Sequence, residues 1–204
     1  MISGWLNNLE KELEQNSPKR HEEPLETLAS WIAKQNKNGK KASLNFICTH
    51  NSRRSQFAQV WCSMVQSYLG LDMAESYSGG TEVTACNPRA IEALRRTGVE
   101  VEHKKSNNPV YTVRDNPNSA VVQLWSKVYD DKNNPGGEFA AVMTCDHADA
   151  NCPFIPGAAI RVPLTYKDPK YADDTPEEKG AYDHTCKLIA SDMLRLFKLA
   201  KSKS

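Results

Sequence analysis

The stretch Cys48-Thr49-His50-Asn51-Ser52-Arg53-Arg54-Ser55 decides the fold predicted for this chain. A short apolar run ending at Ile47 precedes it and is typical of a buried strand. The residues that follow are apolar at steps of three and four, which predicts one buried helix face ending near Gly70. That face consists of Phe57, Val60, Trp61, Met64, Val65, Tyr68 and Leu69. The order is therefore strand, tight loop and helix.

The loop itself has the composition of an anion site. A loop at a helix N-terminus directs several backbone N–H groups at one point, and the helix dipole adds partial positive charge. Arg54 supplies a planar fork of donors that suits a tetrahedral oxyanion. A cysteine in such surroundings is stabilised as the thiolate, so we interpret Cys48 as a nucleophile rather than a buried apolar residue. The expected anion-binding residues of this anion loop (residues 48–55) are Thr49, His50, Asn51, Ser52, Arg53, Arg54 and Ser55.

Cys145 and Cys152 enclose a short polar segment, and three interpretations compete. Both could be buried structural thiols. They could bind a metal with His147 and Asp149, although the paired ligand spacing of common zinc modules is missing. They could form a redox relay in which Cys145 lies near Cys48 and Cys152 is brought to Cys145. A disulfide needs Cα atoms within about 7 Å, so the relay predicts local refolding on oxidation. We favour the relay.

Length, charge and cysteine content limit the classes of protein to which this chain can belong. With 204 residues and a net charge of +1, the chain predicts one modest domain and gives no electrostatic reason to expect nucleic acid or membrane binding. No apolar run approaches the ~20 residues of a spanning helix. Six cysteines without a recognisable secretory signal favour a reducing compartment, so we expect a cytoplasmic protein. Cys62, Cys86 and Cys186 are expected to be structural.

Alternating strand and helix patterns predict the architecture. Strands are expected at about 43–48, 74–78, 139–144 and 159–162, and helices after the anion loop, at Asn87-Pro88 and at Thr175-Pro176-Glu177-Glu178. This alternation implies a parallel sheet with helices on both faces, which binds ligands at the C-terminal strand ends. Cys48 and Cys145 both fall at such ends.

Two segments extend this core. Residues 1–41 contain two amphipathic helix patterns and are predicted to form an N-terminal helical extension packed on the core, with self-association or partner binding as alternatives. Residues 42–204 then form the catalytic domain. An insertion at about 106–138 contains strand patterns at 110–113 and 121–125 around the turn residues 115–118, which predicts a hairpin.

Four further matches, in order, add to the anion loop. They are Tyr77-Ser78-Gly79-Gly80, the run from Asn87-Pro88-Arg89 to Leu94, Val142-Met143-Thr144-Cys145-Asp146 with Cys152-Pro153, and Asp168-Pro169. From about Leu44 onward the chain resembles the low-molecular-weight protein tyrosine phosphatase superfamily, and within it the thioredoxin-coupled arsenate reductases. His50 and Arg53 depart from the commonest loop pattern, in which glycine and cysteine stand at these positions.

The resemblance implies a three-layer α/β fold with a four-stranded parallel sheet, and it implies roles. Asp168 would be the general acid, and Arg54 and the loop would bind arsenate or phosphate. Cys48, Cys145 and Cys152 would form a disulfide relay that thioredoxin reduces, with no tightly bound cofactor. Ser78 would support the loop or a monovalent cation.

Two other functions remain open at this point. A phosphatase would use the same Cys48 through a phosphocysteine, with Cys145 and Cys152 as bystanders. Only Tyr171 stands near Asp168, whereas phosphatases of this family tend to carry adjacent tyrosines there. A non-catalytic anion-binding protein is disfavoured because the cysteine, arginine and aspartate are all present.

Overall fold

The computed structural model describes residues 2–115, 121–152 and 154–204. Strands and helices alternate along most of this part of the chain. The helices are α1 (Ile2–Gln15), α2 (Glu22–Lys37), α3 (Arg54–Leu69), α4 (Pro88–Arg96), α5 (Asp146–Asn151) and α6 (Glu178–Lys203). The strands are β1 (Ala42–Cys48), β2 (Ala74–Gly80), β3 (Glu100–His103), β4 (Tyr111–Arg114), β5 (Val122–Leu124), β6 (Phe139–Met143) and β7 (Ala158–Pro163).

The central sheet has four strands in the order β2-β1-β6-β7, and every pairing is parallel. This confirms the predicted three-layer α/β architecture. All but one residue of the central strand β1 are buried, as expected for a strand that is covered on both faces. In the register of β1, Ile47 faces Met143 and Cys48 faces Gly80. The chain therefore leaves β1 and β6 at the same edge of the sheet.

The two faces of the sheet bury different clusters. Leu44 and Phe46 of β1 belong to the main core, which also contains apolar residues of α1, α2, α3, α4 and α6. Ile47 points to the other face, because successive side chains of a strand alternate. There it joins a smaller cluster with Met143 and with Ala148 of α5. The small cluster also contains Cys48, the last residue of β1 and the first residue of the anion loop.

Local sequence signals explain most helix ends. Helix α3 ends at Gly70, whose φ of 65° lies in the left-handed region that glycine adopts freely. Helix α4 begins at Pro88, and the Asn87 side chain accepts a hydrogen bond from the Arg89 N–H. The helix start predicted at Thr175 is wrong. Helix α6 begins only at Glu178, whose carboxylate accepts from the Asp174 N–H, while Thr175 Oγ1 donates to the Ala172 carbonyl.

The first two helices pack on the main core. Leu6 of α1 and Leu25 and Ile32 of α2 are fully buried there, and Trp5 stacks on Trp61 of α3 with ring centroids 4.9 Å apart. The division into an extension at 1–41 and a domain at 42–204 stays a prediction. Within the described residues no helix is both long and apolar enough to cross a membrane.

Two strands of the insertion and β3, which precedes it, form a small antiparallel sheet in the order β3-β4-β5. Strands β4 and β5 are the predicted hairpin, and β3 adds a third strand that was not predicted. The expected turn falls largely on residues 116–118, which lie outside the described residues. After β5 the chain returns to the end of β2, where a Cβ on Gly79 would lie 2.3 Å from Tyr129 Cα and one on Gly80 would lie 2.6 Å from the Thr49 carbonyl oxygen. Both glycines therefore permit a close backbone approach.

Candidate active site

Cys48 is the last residue of β1 and its thiol is almost completely buried. Its Sγ lies 3.0 Å from Ser55 Oγ, on the first turn of α3. Asn51 Nδ2 donates to the same Ser55 oxygen at 2.9 Å. A hydroxyl has one proton, so Ser55 can accept from Asn51 and donate to the sulfur. Through Ser55, Asn51 therefore orients a hydroxyl proton toward the Cys48 sulfur.

The anion loop is fixed from outside by side chains and backbone. Asn51 has a φ of 45°, and its carbonyl accepts from Gln56 Nε2 at 2.9 Å, while its Oδ1 accepts from the Lys127 N–H at 3.0 Å. Ser126 Oγ donates to the His50 carbonyl at 2.9 Å, and Ser52 Oγ donates to the Ala85 carbonyl at 2.6 Å. The segment after β5 therefore serves as a support for the loop.

Arg54 and Arg53 both contact Asp168. Arg54 Nη2 donates to Asp168 Oδ2 at 2.6 Å, and Arg53 Nε lies 3.3 Å from Asp168 Oδ1. Arg54 Nη1 donates to the Tyr166 carbonyl at 2.9 Å. The buried Nε atoms of both arginines lack a hydrogen-bond partner among the described residues. A buried donor without a partner is costly, so these atoms are suited to an incoming oxyanion.

Asp168 begins the 3-10 turn Pro169–Ala172 and accepts a hydrogen bond from the Lys170 N–H. About a third of its side chain is exposed. The carboxylate therefore lies at the rim of the site, against the two guanidinium groups that an oxyanion would also contact. An oxyanion bound by these guanidinium groups would therefore lie next to the Asp168 carboxyl group.

Cys145 lies beside the anion loop. The Thr144 N–H donates to the Ile47 carbonyl at 2.7 Å, which aligns the ends of β6 and β1. Cys145 Sγ lies 3.6 Å from Thr49 Oγ1 and accepts a hydrogen bond from the Ala148 N–H at 3.3 Å. Cys48 and Cys145 belong to the same small buried cluster, and Cys152 packs against it. All three are free thiols.

Helix α5 separates Cys145 from Cys152. Cys145 is its N-cap and Cys152 its C-cap. At about 1.5 Å of rise per residue, seven residues of helix span roughly 10 Å, whereas a disulfide needs Cα atoms within about 7 Å. A Cys145–Cys152 bond therefore requires α5 to unwind. Arg161 opposes this, since its Nε donates to the Cys152 carbonyl at 3.1 Å and its Nη2 lies 2.7 Å from Asp149 Oδ1.

The geometry does not favour the metal alternative for this segment. His147 Nδ1 lies 3.3 Å from Thr49 Oγ1, and Asp149 is paired with Arg161. Across residues 2–115, 121–152 and 154–204, no three His, Cys, Asp or Glu side chains are grouped as a metal site.

The role expected for Ser78, to support the loop or a monovalent cation, stays a prediction. Ser78 Oγ donates to Gln59 Oε1 at 2.6 Å, so its hydroxyl points its proton at the amide. Gln59 lines a cavity of about 660 Å³ together with Lys127. Lys127 is 4% exposed, and its ammonium lies 4.0 Å from the centre of the Trp125 ring.

The other three cysteines lie in the main core. Burial raises the pKa of Cys86 and of Cys186 to about 12, and burial raises the pKa of Cys62 even further. A thiol that stays protonated at neutral pH is a poor nucleophile. These positions therefore have no chemical role that the geometry supports.

Sequence reasoning missed two residues of the site. Tyr166 supplies the carbonyl that Arg54 binds, and Lys127 supplies the N–H that Asn51 binds. Both contacts use backbone atoms, which carry no signal in the residue type. Tyr166 could have been noticed only because it lies two residues before Asp168.

The sequence of this chain is similar to a known protein family and to proteins of two bacterial species. Residues 43–203 match the family described as low molecular weight phosphotyrosine protein phosphatase. A protein named arsenate reductase from Halalkalibacterium halodurans is 32% identical over 141 residues, which are 69% of this chain and 84% of the relative. Arsenate reductase 2 from Staphylococcus haemolyticus is 33% identical over 129 residues, 63% of this chain and 79% of the relative.

Solved structures of more distant proteins are also similar. A low molecular weight phosphotyrosine phosphatase from Vibrio cholerae O395 superposes with a TM-score of 0.48 at 15% identity, covering 77% of this chain and 94% of the other. A low molecular weight protein tyrosine phosphatase from T. tengcongensis has a TM-score of 0.48 at 14% identity, covering 78% and 99%.

Proposed function

Because residues 43–203 match its family model, this chain belongs to the low molecular weight phosphotyrosine protein phosphatase family, and we propose that it reduces arsenate to arsenite. The observation that carries the proposal is the placement of a second thiol, Cys145, in the buried cluster of Cys48, with Cys152 packed against that cluster. A phosphatase needs neither of these additional thiols. The relatives named arsenate reductase, at about 30% identity, support the same choice.

The first step joins Cys48 to arsenic. The Cys48 thiolate attacks arsenate, an As–O bond breaks, and Asp168 protonates the departing oxygen so that it leaves as water. Arg54 and the N–H groups of the anion loop bind the remaining oxygens. The Nε of Arg54 supports this assignment, because it is a buried donor with no hydrogen-bond partner among the described residues.

The second step reduces arsenic. The Cys145 thiolate attacks the Cys48 sulfur, an S–S bond forms, and the electron pair of the Cys48–As bond stays on arsenic. Two thiolates thus supply the two electrons that convert As(V) to As(III), and arsenite leaves. Thr49 Oγ1, at 3.6 Å from Cys145 Sγ, is placed to hold that thiol.

The last steps restore the site. Cys152 attacks Cys145, the Cys48 thiolate departs, and a Cys145–Cys152 disulfide remains. The dithiol of thioredoxin then reduces this disulfide. Unwinding of α5 would bring Cys152 within bonding distance of Cys145, and Cys152 is partly exposed, so a partner protein can reach it.

Phosphomonoester hydrolysis is the second candidate function, since Cys48, Arg54 and Asp168 are sufficient for it. The family match favours it. In that reaction water would hydrolyse a phosphocysteine on Cys48, and Cys145 and Cys152 would take no part. Tyr171 is 59% exposed on the turn after Asp168, where an aromatic side chain could contact an aryl group.

A coupled assay distinguishes the two functions. The protein is mixed with arsenate, thioredoxin, thioredoxin reductase and NADPH, and in parallel with an aryl phosphate. We expect arsenate-dependent NADPH consumption that is lost in Cys48→Ser, Cys145→Ser and Cys152→Ser and retained in the control Cys62→Ala. Weak aryl phosphate hydrolysis should survive Cys152→Ser. Fast hydrolysis without arsenate turnover would replace the proposal with the phosphatase function.

A further inference from the structure

A buried carboxylate on α6 gathers side chains from three parts of the chain. Asp192 is completely buried and contacts four residues. Arg20 Nε donates to both of its oxygens at 3.2 Å, and Arg195 Nη1 donates to Oδ1 at 3.1 Å. His21 Nδ1 lies 2.9 Å from Oδ2, and Tyr166 Oη donates to Oδ2 at 3.0 Å. A carboxylate this deeply buried is stable only when it is paired and hydrogen-bonded.

Tyr166 connects this carboxylate to the anion site. Its ring is buried, and its hydroxyl is held by Asp192, while its backbone carbonyl accepts from Arg54 Nη1 at 2.9 Å. Burial and the Asp192 carboxylate raise the pKa of Tyr166 well above its usual value, so the hydroxyl remains a donor. The Tyr166 N–H donates to the Thr144 carbonyl at 3.2 Å, next to Cys145. One residue thus contacts both the arginine and the buried carboxylate.

Two of the residues around Asp192 come from the segment between α1 and α2, which lies outside the family match at 43–203. Arg20 is fixed at both ends, since its Nη2 donates to the Leu188 carbonyl at 2.7 Å and its own carbonyl accepts from Arg195 Nη1 at 2.8 Å. His21 has a φ of 56° and places its ring edge-on against Tyr166, with centroids 5.3 Å apart. A non-glycine residue in this backbone region is held there by its surroundings.

We propose that Arg20, His21 and Asp192 are positioning residues for Arg54, acting through Tyr166, so that the segment before the family match supports the oxyanion site. Arg54 donates from Nη1 to the Tyr166 carbonyl and from Nη2 to Asp168. Its Nε has no partner among the described residues and is left for a bound oxyanion. Any shift of the Tyr166 carbonyl turns the guanidinium plane. Displacements of this kind, far from the reacting atoms, can change catalysis strongly.

The inference rests on the proposed anion site but not on the reaction at that site. Inorganic phosphate is therefore the probe, because its binding requires Arg54 and the anion loop and no turnover. The dissociation constant of phosphate is measured by calorimetry for the full-length protein and its variants, well below their unfolding temperatures. Unfolding temperatures are measured in parallel.

The main variant is Tyr166→Phe, and the matched control is Tyr68→Phe. Tyr68 also donates its hydroxyl to a carboxylate of another element, Glu10 of α1, at 2.6 Å, but it has no contact with Arg54. We expect Tyr166→Phe to weaken phosphate binding about 3- to 10-fold, which corresponds to loss of one hydrogen bond that orients a binding group. Tyr68→Phe should stay within about twofold of the unmodified protein, by the same reasoning.

The second pair tests the N-terminal segment itself. Arg20→Gln removes a cation from Asp192, and Lys198→Gln removes the cation that lies 2.6 Å from Glu10. Both substitutions should lower the unfolding temperature, and only Arg20→Gln should also weaken phosphate binding. Equal phosphate affinity in Tyr166→Phe, Arg20→Gln and their controls would reduce the network to a structural role and overturn the inference. If the unmodified protein does not bind phosphate, the proposed anion site is overturned, and so is the inference that rests on it.

Discussion

At the scale of single residues, Ser55 connects the anion loop to its nucleophile. Its hydroxyl lies 3.0 Å from Cys48 Sγ and accepts from Asn51. A hydrogen bond to a charged group contributes about 1.5–3 kcal/mol, so Ser55→Ala should slow alkylation of Cys48 by iodoacetamide and lower kcat about 10- to 100-fold. The exposed Ser67 lies on the same helix, and Ser67→Ala serves as the control. Unchanged alkylation in Ser55→Ala would show that the hydroxyl does not stabilise the thiolate.

The two neighbouring arginines should differ in importance. Arg54 directs separate donors at Tyr166 and Asp168, whereas the contact of Arg53 with Asp168 is a single longer one at 3.3 Å. Lysine keeps the charge but cannot reproduce a planar fork. Arg54→Lys should therefore reduce kcat/KM about 100- to 1,000-fold, in the range known for loss of an oxyanion donor. Arg53→Lys should stay within about 10-fold by the same measure, and equal losses would contradict this assignment.

Lys127 should make stability depend on pH. Burial lowers its pKa from 10.5 to about 8. Between these values the unfolded chain binds more protons than the folded protein, so this group makes stability rise with pH across that window. At pH 7 the buried ammonium is charged in both states and costs about 3 kcal/mol, offset in part by its contact with Trp125, about 0.5–2 kcal/mol.

Lys127→Met keeps the apolar stem and removes the ammonium. It should raise the free energy of unfolding at pH 7 by about 1–2.5 kcal/mol, the difference between those two contributions. Urea unfolding at pH 7 and at about pH 10 measures this, because the buried charge is lost above its lowered pKa and the advantage of the variant should shrink. The same advantage at both pH values would mean that the ammonium is not the cause.

At the scale of elements, α5 is the part that must change during the proposed relay. Its last turn is held by the Cys152 N–H donating to the Ala148 carbonyl and by Arg161. Oxidation to a Cys145–Cys152 disulfide should abolish the exchange protection of the Cys152 N–H while that of β6 persists. Hydrogen exchange on the oxidised Cys48→Ser variant measures this. Full protection after oxidation would exclude an unwound α5.

Arg161 should slow that change, because it binds carbonyl and carboxylate oxygens at the end of α5. Each such contact contributes about 1 kcal/mol, so Arg161→Gln should speed formation of the Cys145–Cys152 disulfide about 3- to 10-fold. Arg96→Gln, which removes an exposed pair with Asp183, is the control. Equal rates in both variants would show that Arg161 does not restrain the helix.

Elements with strong local signals could be predicted from the sequence, and the others could not. Strand β1 and helix α3 have apolar patterns of the right period, and Gly70 ends α3 as expected. Strand β3 is exposed along most of its length and shows no alternation that would reveal it. The start of α6 was misplaced because Glu178 contacts Asp174 instead of completing a capping box with Thr175.

At the scale of the whole molecule, the proposed relay needs a surface that thioredoxin can bind. Phe154 is 77% exposed and lies two residues after Cys152. A large exposed apolar side chain beside a reactive thiol is suited to an interface, where aromatic residues contribute more than 1 kcal/mol. Phe154→Ala should raise the KM for thioredoxin about 3- to 10-fold and leave single-turnover arsenate reduction unchanged. Val110→Ala, also exposed but in the insertion, is the control.

Site residues whose side-chain type suggests a chemical role could be predicted from the sequence. Residues whose role depends on tertiary contacts could not. Cys48, Arg54 and Asp168 stand in recognisable sequence contexts, and the structure brings all three to one edge of the sheet. Asp192 gives no such signal. An aspartate inside a helix pattern is usually solvent-exposed, and only the packing of a distant N-terminal segment makes this one a buried partner of Arg20 and Tyr166.

Because the N-terminal segment packs on α6, the order in which these helices are made differs from the order in which they can pack. Helices α1 and α2 are made before the other described elements, yet they pack on α6, and Arg20 reaches Asp192 across 172 positions. Contacts between such distant positions form slowly. A nascent chain stalled before α6 should therefore remain sensitive to proteases, because Arg20 and His21 cannot contact Asp192 until α6 has been made. Enzyme competence would then be acquired only once α6 has emerged from the exit tunnel.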